Sequence, residues 1–129
     1  MAPMTTDRYP ISALKVTLIG FAALASAMGV GRFAFTPLLP LMQAHAGISL
    51  RQGAWLAGAN YIGYLVGAVL CSVRVPAARH AVRYGLMAVA LLTVGMGVTG
   101  SYGAWLALRF GAGVASAYVL VGVSAWALP

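Results

Sequence analysis

Two arginines inside apolar sequence are the residues of this chain most suited to chemistry. Arg32 and Arg109 each lie in a long apolar stretch, while the only acidic side chain, Asp7, stands in the polar N-terminal tail. A guanidinium stays protonated in a protein, and an arginine at the centre of a membrane-spanning helix costs about 2.5 to 3.5 kcal/mol on insertion scales. We therefore expect a counter-charge from outside the chain, either an anionic ligand or an acidic side chain of another protein.

Uncharged polar side chains join the arginines as candidates for a substrate or coupling-ion cavity. Asn60 and Tyr64 are four residues apart, so they share one face of a helix, with Tyr61 beside them. Ser116 lies further along the stretch that carries Arg109. Asn60 and Tyr64 can instead form hydrogen bonds between packed helices, which is the commoner role of such residues in membranes.

Other functional classes lack the residues they need. His45 and His80 fall in separate predicted loops, and Cys71 is the single cysteine. One acidic residue cannot supply the acid–base pairs or metal ligands of most hydrolytic mechanisms. We expect no enzyme activity, no cofactor and no metal site. The formal charge of +7 does not indicate nucleic-acid binding, because the basic residues lie mostly at the ends of apolar segments.

Membrane-spanning helices must position these residues. Hydrophobic residues make up 62% of the chain and charged residues 7%, against about 25% charged residues in soluble domains. A bilayer core takes about 20 helical residues, and four segments reach that length, at about 12–42, 51–73, 82–101 and 104–128. Short connections favour antiparallel neighbours. We predict an all-α polytopic membrane protein in which residues 1–129 form one transmembrane unit in contact with the lipid bilayer.

Charges outside the segments predict the orientation. Arg8 and Lys15 precede the first segment, and three arginines crowd the second connection, whereas the first connection has only Arg51 at its edge. By the positive-inside rule, the N-terminus and the second connection are cytoplasmic. This orientation gives Arg32 and Arg109 a similar depth in the outer half. Seven arginines against one lysine indicate a bacterial source, so we expect the bacterial cytoplasmic (inner) membrane.

Small residues predict where helices pack closely. Gly63 and Gly67 form a Gly-x-x-x-Gly pattern in the second segment, and Gly113 follows Arg109 by four residues in the fourth. Such spacing lets a second helix backbone approach.

The first segment is too long for a straight helix across the membrane. About 30 residues at about 1.5 Å each exceed a core of about 30 Å, so this segment must tilt, bend or protrude. Pro37 and Pro40 follow a flexible Gly29–Phe33 run that contains the charge. The prolines either end the helix or bend it at a functional site.

Two runs of sequence resemble a known transporter family. They read Gly29-Val-Gly-Arg-Phe-Ala-Phe-Thr-Pro-Leu-Leu-Pro-Leu-Met42 and Trp55-Leu-Ala-Gly-Ala-Asn-Tyr-Ile-Gly-Tyr-Leu-Val-Gly67, and they are similar to the YbfB/YjiJ-like branch of the major facilitator superfamily. In the fourth segment, Arg109-x-x-x-Gly113 resembles the arginine motif of the superfamily's fourth helix. The resemblance implies four helices equivalent to the first four of that fold.

The resemblance also implies a function. Members carry out secondary transport of a small solute by alternating access, commonly coupled to protons, and their first and fourth helices line a central cavity. Arg32 and Arg109 fall on these two helices, which favours an anionic solute.

Two features depart from the family pattern. The usual Gly-x-x-x-Asp-Arg-x-Gly-Arg loop between helices two and three is replaced by residues 72–85, which keep the basic residues but lack the aspartate. The chain also has four helices where such transporters have two six-helix halves, so we expect an N-terminal fragment. The alternative is a four-helix membrane subunit or a small dimeric exporter that pairs its arginines with a partner chain, although the exporters of that kind carry a glutamate in their first helix.

Overall fold

Four long helical spans make up the described part of the chain. The computed structural model describes residues 12–74 and 76–128, and all regular elements within them are helices. Each span is long and apolar enough to cross a membrane; their bounds are Ala13–Ala46, Leu50–Val73, Ala78–Val98 and Tyr102–Ala127. The predicted all-α, four-span architecture is therefore confirmed. Asp7 and Arg8 lie outside the described residues.

The first connection is shorter than expected because both helix ends are capped. The first span continues past residue 42 to Ala46 and ends at Gly47, whose φ of 66° is left-handed, as is common at helix C-termini. The Gly47 N–H donates to the carbonyl of Gln43 at 3.2 Å. Ser49 and Gln52 then form a reciprocal capping box. The Gln52 N–H donates to Oγ of Ser49 at 3.1 Å, and the Ser49 N–H donates to Oε1 of Gln52 at 2.8 Å.

The second connection is also shorter than expected. The third span begins at Ala78, four residues before the expected start at 82, and the Ala81 N–H already donates to the carbonyl of Ala77. Arg79 and His80 lie in the first turn of this helix, where N–H groups without an intrahelical acceptor can be solvated and the helix need not stop where the apolar core ends. The expectation that His80 lies in a loop was wrong for this reason, and so was that for His45, which lies within the prolonged first span.

The third connection lies at 99–101, so the expected break at Tyr102 and Gly103 falls inside the fourth span. Trp105 explains the shift. Its indole N–H donates to the carbonyls of Met96 and Thr99, at 3.1 and 2.7 Å. These acceptors at the end of the third span would otherwise lack a donor, so one side chain of the fourth span fixes the end of the third.

The first span changes its winding near its middle. Ala13–Leu24 is α-helical, Ala25–Phe33 is π-helical, and Phe35–Ala46 is α-helical again. The N–H of Ala34 donates to the carbonyl of Gly29 at 3.1 Å, a step of five residues that defines π-helical winding. The helix continues beyond the two prolines, so they do not end it.

The fourth span is the central helix of the bundle. A Cβ atom on Gly63 of the second span would overlap the carbonyl of Phe110, and one on Gly67 would lie 2.8 Å from the carbonyl of Val114. Gly113 of the fourth span is equally close to the second span's backbone. The backbones of these two spans approach because the glycines have no side chain.

The other two spans also pack against the fourth. The third span presents the buried residues Ala81 and Gly85, four apart, to the fourth. The first span makes fewer contacts, through the buried Ala27 to Val119 and Val123, and through Phe35 to Trp105.

Candidate functional site

Arg109 is a buried charge on the central helix. Only 5% of its surface is exposed, and its guanidinium carbon lies 4.5 Å from the centroid of the Phe35 ring on the first span. A guanidinium over an aromatic face gains a cation–π attraction, which is larger where water is excluded. The first and fourth spans therefore meet at a charged contact.

Arg32 lies near the end of the π-helical segment and faces the second span. Its guanidinium carbon lies 4.3 Å from the centroid of the Tyr64 ring and 5.2 Å from that of Tyr61. The tyrosines are three residues apart and thus on one helix face. Within the described residues, Nε of Arg32 is buried and forms no hydrogen bond. Each guanidinium thus lies over an aromatic ring of another span.

Asn60 connects the second span to the backbone of Arg109. Its side chain is 1% exposed, and Nδ2 donates to the carbonyl of Arg109 at 3.0 Å. This is the hydrogen bond between helices that sequence reasoning left open for Asn60. The backbone carbonyl of Asn60 faces Gly113, so the side chain and the backbone of Asn60 both contribute to the same helix crossing.

Ser116 lies where the first and fourth spans touch. It is fully buried. Its Oγ donates to the carbonyl of Ala112 on its own helix at 2.8 Å and lies 3.4 Å from the carbonyl oxygen of Ala27 on the first span. Ala27 belongs to the π-helical segment. The structure thus places Ser116 about two helical turns from Arg109, at a contact between helices.

An apolar cavity of about 650 Å³ opens beside Arg109. It lies between the second half of the first span, the end of the third span and the start of the fourth. Arg109, His45 and Thr93 are its polar residues; the other lining residues are Val30, Ala34, Phe35, Leu38, Leu41, Met42, Ala46, Met96, Gly97, Gly100, Trp105 and Ala112. Its size lies within the range of small-molecule sites, about 300 to 1,000 Å³.

Sequence reasoning found the charges but missed part of their surroundings. Phe35, three residues after Arg32, was not among the predicted site residues, because an apolar run does not show which face is buried. His45 was missed because the end of the helix was placed too early. Had the left-handed Gly47 been recognised as a helix end, His45 would have been placed in the helix.

Comparison with known families identifies the chain. The family model described as "Uncharacterised MFS-type transporter YbfB" matches residues 24–129. No curated protein and no solved structure matched. The matched region contains both arginines, Asn60, Tyr64 and the glycines at the helix crossing. The predicted resemblance is confirmed: this multi-pass membrane protein belongs to the YbfB family of major facilitator superfamily (MFS) transporters.

Proposed function

We propose that Arg109 binds the anionic group of a small, mainly apolar solute that the transporter moves by alternating access. The observation that carries this proposal is the position of Arg109, a buried cation in the wall of an otherwise apolar cavity of about 650 Å³. A guanidinium forms two parallel hydrogen bonds with a carboxylate, which provides both energy and orientation.

The cavity walls favour a monocarboxylate with an aromatic or branched apolar body. Phe35, Leu38, Met42 and Met96 supply apolar surface next to the one arginine of the lining. A sugar or a phosphorylated metabolite would leave hydroxyl groups against these walls without partners, at a cost of about 1 to 3 kcal/mol for each buried group. A solute with one charged end loses little hydration at its apolar end.

Arg32 and Tyr64 lie outside the cavity lining, and we propose that they act beside the solute site. Arg32 adds a second positive charge on the first span, and the ring of Tyr64 contacts its guanidinium from the second span. We assign to Asn60 and Ser116 the task of fixing the helices that carry these charges, since Asn60 donates to the carbonyl of Arg109 on the fourth span and the hydroxyl of Ser116 lies 3.4 Å from the carbonyl of Ala27 on the first. Of the site residues predicted from the sequence, only Arg109 lines the cavity, so these roles require solute contact from Arg109 alone.

Orientation and coupling belong to the same proposal. The basic residues of the tail and of the second connection favour a cytoplasmic N-terminus in a bacterial inner membrane. Proton coupling follows from the family resemblance. With this orientation the cavity beside Arg109 lies in the outer half of the membrane, and we propose that solute reaches it from the outer side in one of the two transport states.

The burial of Arg109 argues against a partner chain as the source of its counter-charge. A carboxylate on a neighbouring subunit would have to reach a side chain that is 5% exposed, whereas a small solute can enter the cavity. Copurification of a protein that is lost in the Arg109→Gln variant would support the subunit alternative instead.

Binding of benzoate to the purified chain in detergent micelles tests the proposal. We expect saturable binding of radiolabelled benzoate and none of benzamide, which has the same ring and no charge. Loss of a hydrogen bond to a charged group costs about 1.5 to 3 kcal/mol, so Arg109→Gln should weaken benzoate binding by about 10- to 150-fold. The matched control is Arg51→Gln, which removes an exposed arginine outside the cavity.

Equal binding of benzoate and benzamide, or undiminished benzoate binding by a folded Arg109→Gln protein, would overturn the proposed role of the charge. Circular dichroism and size-exclusion elution establish that the variant is folded. In a YbfB-family transporter with an arginine equivalent to Arg109, replacement by alanine should abolish uptake while the protein remains inserted in the membrane.

A further inference from the structure

A second charged groove lies at the opposite end of the bundle from Arg109. Its volume is about 350 Å³, and it is bounded by the beginning of the first span, the beginning of the third and the end of the fourth. Ile19, Ala23, Val82 and Val123 form apolar walls. The transport site proposed above shares none of these residues.

Arg79 and Arg83 provide the charge of this groove. They stand four residues apart in the first turns of the third span, so their side chains lie on one helix face. Both are exposed, and positions 12–128 contain no acidic residue. Like charges at this spacing destabilise a helix by a few tenths of a kcal/mol, and an anion bound between them removes that repulsion.

The groove is shaped for an apolar chain that continues from the charged end. Gly20 lies in its floor, where a Cβ atom would come within 3.3 Å of Cγ1 of Val123. Trp126, which is 44% exposed, borders the groove near the end of the fourth span. Tryptophan is enriched at the level of lipid headgroups, so Trp126 and the arginines mark one membrane boundary.

We propose that this groove binds an anionic phospholipid. Its phosphate is held by Arg79 and Arg83, and one acyl chain lies along Ile19, Ala23 and Val82. Basic pockets between transmembrane helices recognise anionic lipid headgroups. Free phosphate satisfies the arginines but leaves the apolar walls uncovered, whereas a phospholipid matches both parts of the groove.

Native mass spectrometry of the full chain released from detergent micelles tests the proposal. The probes are phosphatidylglycerol and phosphatidylcholine with identical acyl chains. We expect one phosphatidylglycerol to bind in preference to phosphatidylcholine. A lysine or arginine near an anionic lipid surface contributes enough to change affinity about fivefold, so Arg79→Gln and Arg83→Gln should each lower affinity about fivefold, and the double variant about 25-fold. Arg51→Gln, at the other end of the bundle, should retain full binding.

Two further measurements separate the lipid from other occupants. Phosphatidylglycerol with brominated acyl chains, present at a low fraction in phosphatidylcholine bilayers, should quench the Trp126 contribution to fluorescence, obtained as the difference between the wild type and Trp126→Phe. Inorganic phosphate at millimolar concentration should not displace the lipid. Equal adducts with both lipids, displacement by inorganic phosphate, or unchanged affinity in the folded double variant would each overturn the proposal.

Discussion

The side-chain amide of Asn60 donates a hydrogen bond of 3.0 Å to the backbone carbonyl of Arg109, 49 positions later in the chain. The second span is thereby held to the residue that carries the buried charge. Hydrogen bonds between membrane helices contribute about 0.6 kcal/mol on average and about 2 kcal/mol at most.

Replacing Asn60 should therefore weaken the bundle measurably. We expect Asn60→Leu to lower the free energy of unfolding by about 0.5 to 2 kcal/mol, measured by unfolding with sodium dodecyl sulfate in mixed micelles. Ser72→Ala is the control, because Ser72 is exposed and its hydroxyl bonds only to Ala68 of its own helix. An Asn60→Leu protein as stable as Ser72→Ala would show that the bond contributes nothing.

A methyl group at Gly113 should be far more harmful than one at Gly58. A Cβ on Gly113 would overlap the carbonyl of Asn60 and lie 2.8 Å from the amide nitrogen of Tyr64, and backbone atoms cannot move aside as a side chain does. We expect Gly113→Ala to cost about 1 to 3 kcal/mol. At Gly58 nothing lies within 4 Å, so Gly58→Ala should be neutral or stabilise by up to about 1 kcal/mol. Thermal denaturation of both variants compares them, and equal melting temperatures would contradict the close helix crossing.

Filling the cavity beside Arg109 should block binding without unfolding the protein. Gly97 lines the cavity, and a Cβ there would meet no atom within 4 Å. Gly97→Leu should therefore lower benzoate affinity at least about tenfold, the effect of about 1.4 kcal/mol, while leaving stability unchanged or raised. The control is Gly58→Leu, which adds the same side chain at an equally open helix position outside the cavity. Full benzoate binding by Gly97→Leu would place the site elsewhere.

The indole of Trp105 should stabilise the turn between the third and fourth spans. Trp105→Phe keeps an aromatic ring next to Phe35 and Leu56 but removes the donor to the carbonyls of Met96 and Thr99. We expect a loss of about 1 to 3 kcal/mol, together with faster amide hydrogen exchange at the end of the third span. Trp55→Phe, at a residue that is 59% exposed, should change neither quantity.

The spans were predictable from the sequence because apolar length is a strong signal, whereas their ends were not. The helix containing Arg79 and His80 begins in polar sequence, where hydropathy carries no information about backbone hydrogen bonds. The signals for the first connection, a glycine at 47 and a Ser-x-x-Gln pair at 49–52, were present in the sequence and are physical helix-end patterns.

The charges of the candidate site were predictable, and their partners were not. An arginine in apolar sequence is conspicuous because its insertion is costly. That Arg32 would stack on Tyr64, and Arg109 on Phe35, depends on the π-helical winding of Ala25–Phe33. If this segment were α-helical, the direction of the Arg32 side chain about the helix axis would differ by roughly 100°, measured against the residues before Ala25. Nothing in the local composition distinguishes the two windings.

The uneven packing of the bundle has a mechanical consequence for the two arginines. The second, third and fourth spans are joined through close backbone contacts, whereas the first span is attached more loosely. Each cation–π contact crosses the boundary between these two parts, since Arg32 extends from the first span to Tyr64 and Arg109 extends from the fourth span to Phe35. A displacement of the first span would therefore change both contacts at once. The surroundings of both charges thus depend on the position of a single helix.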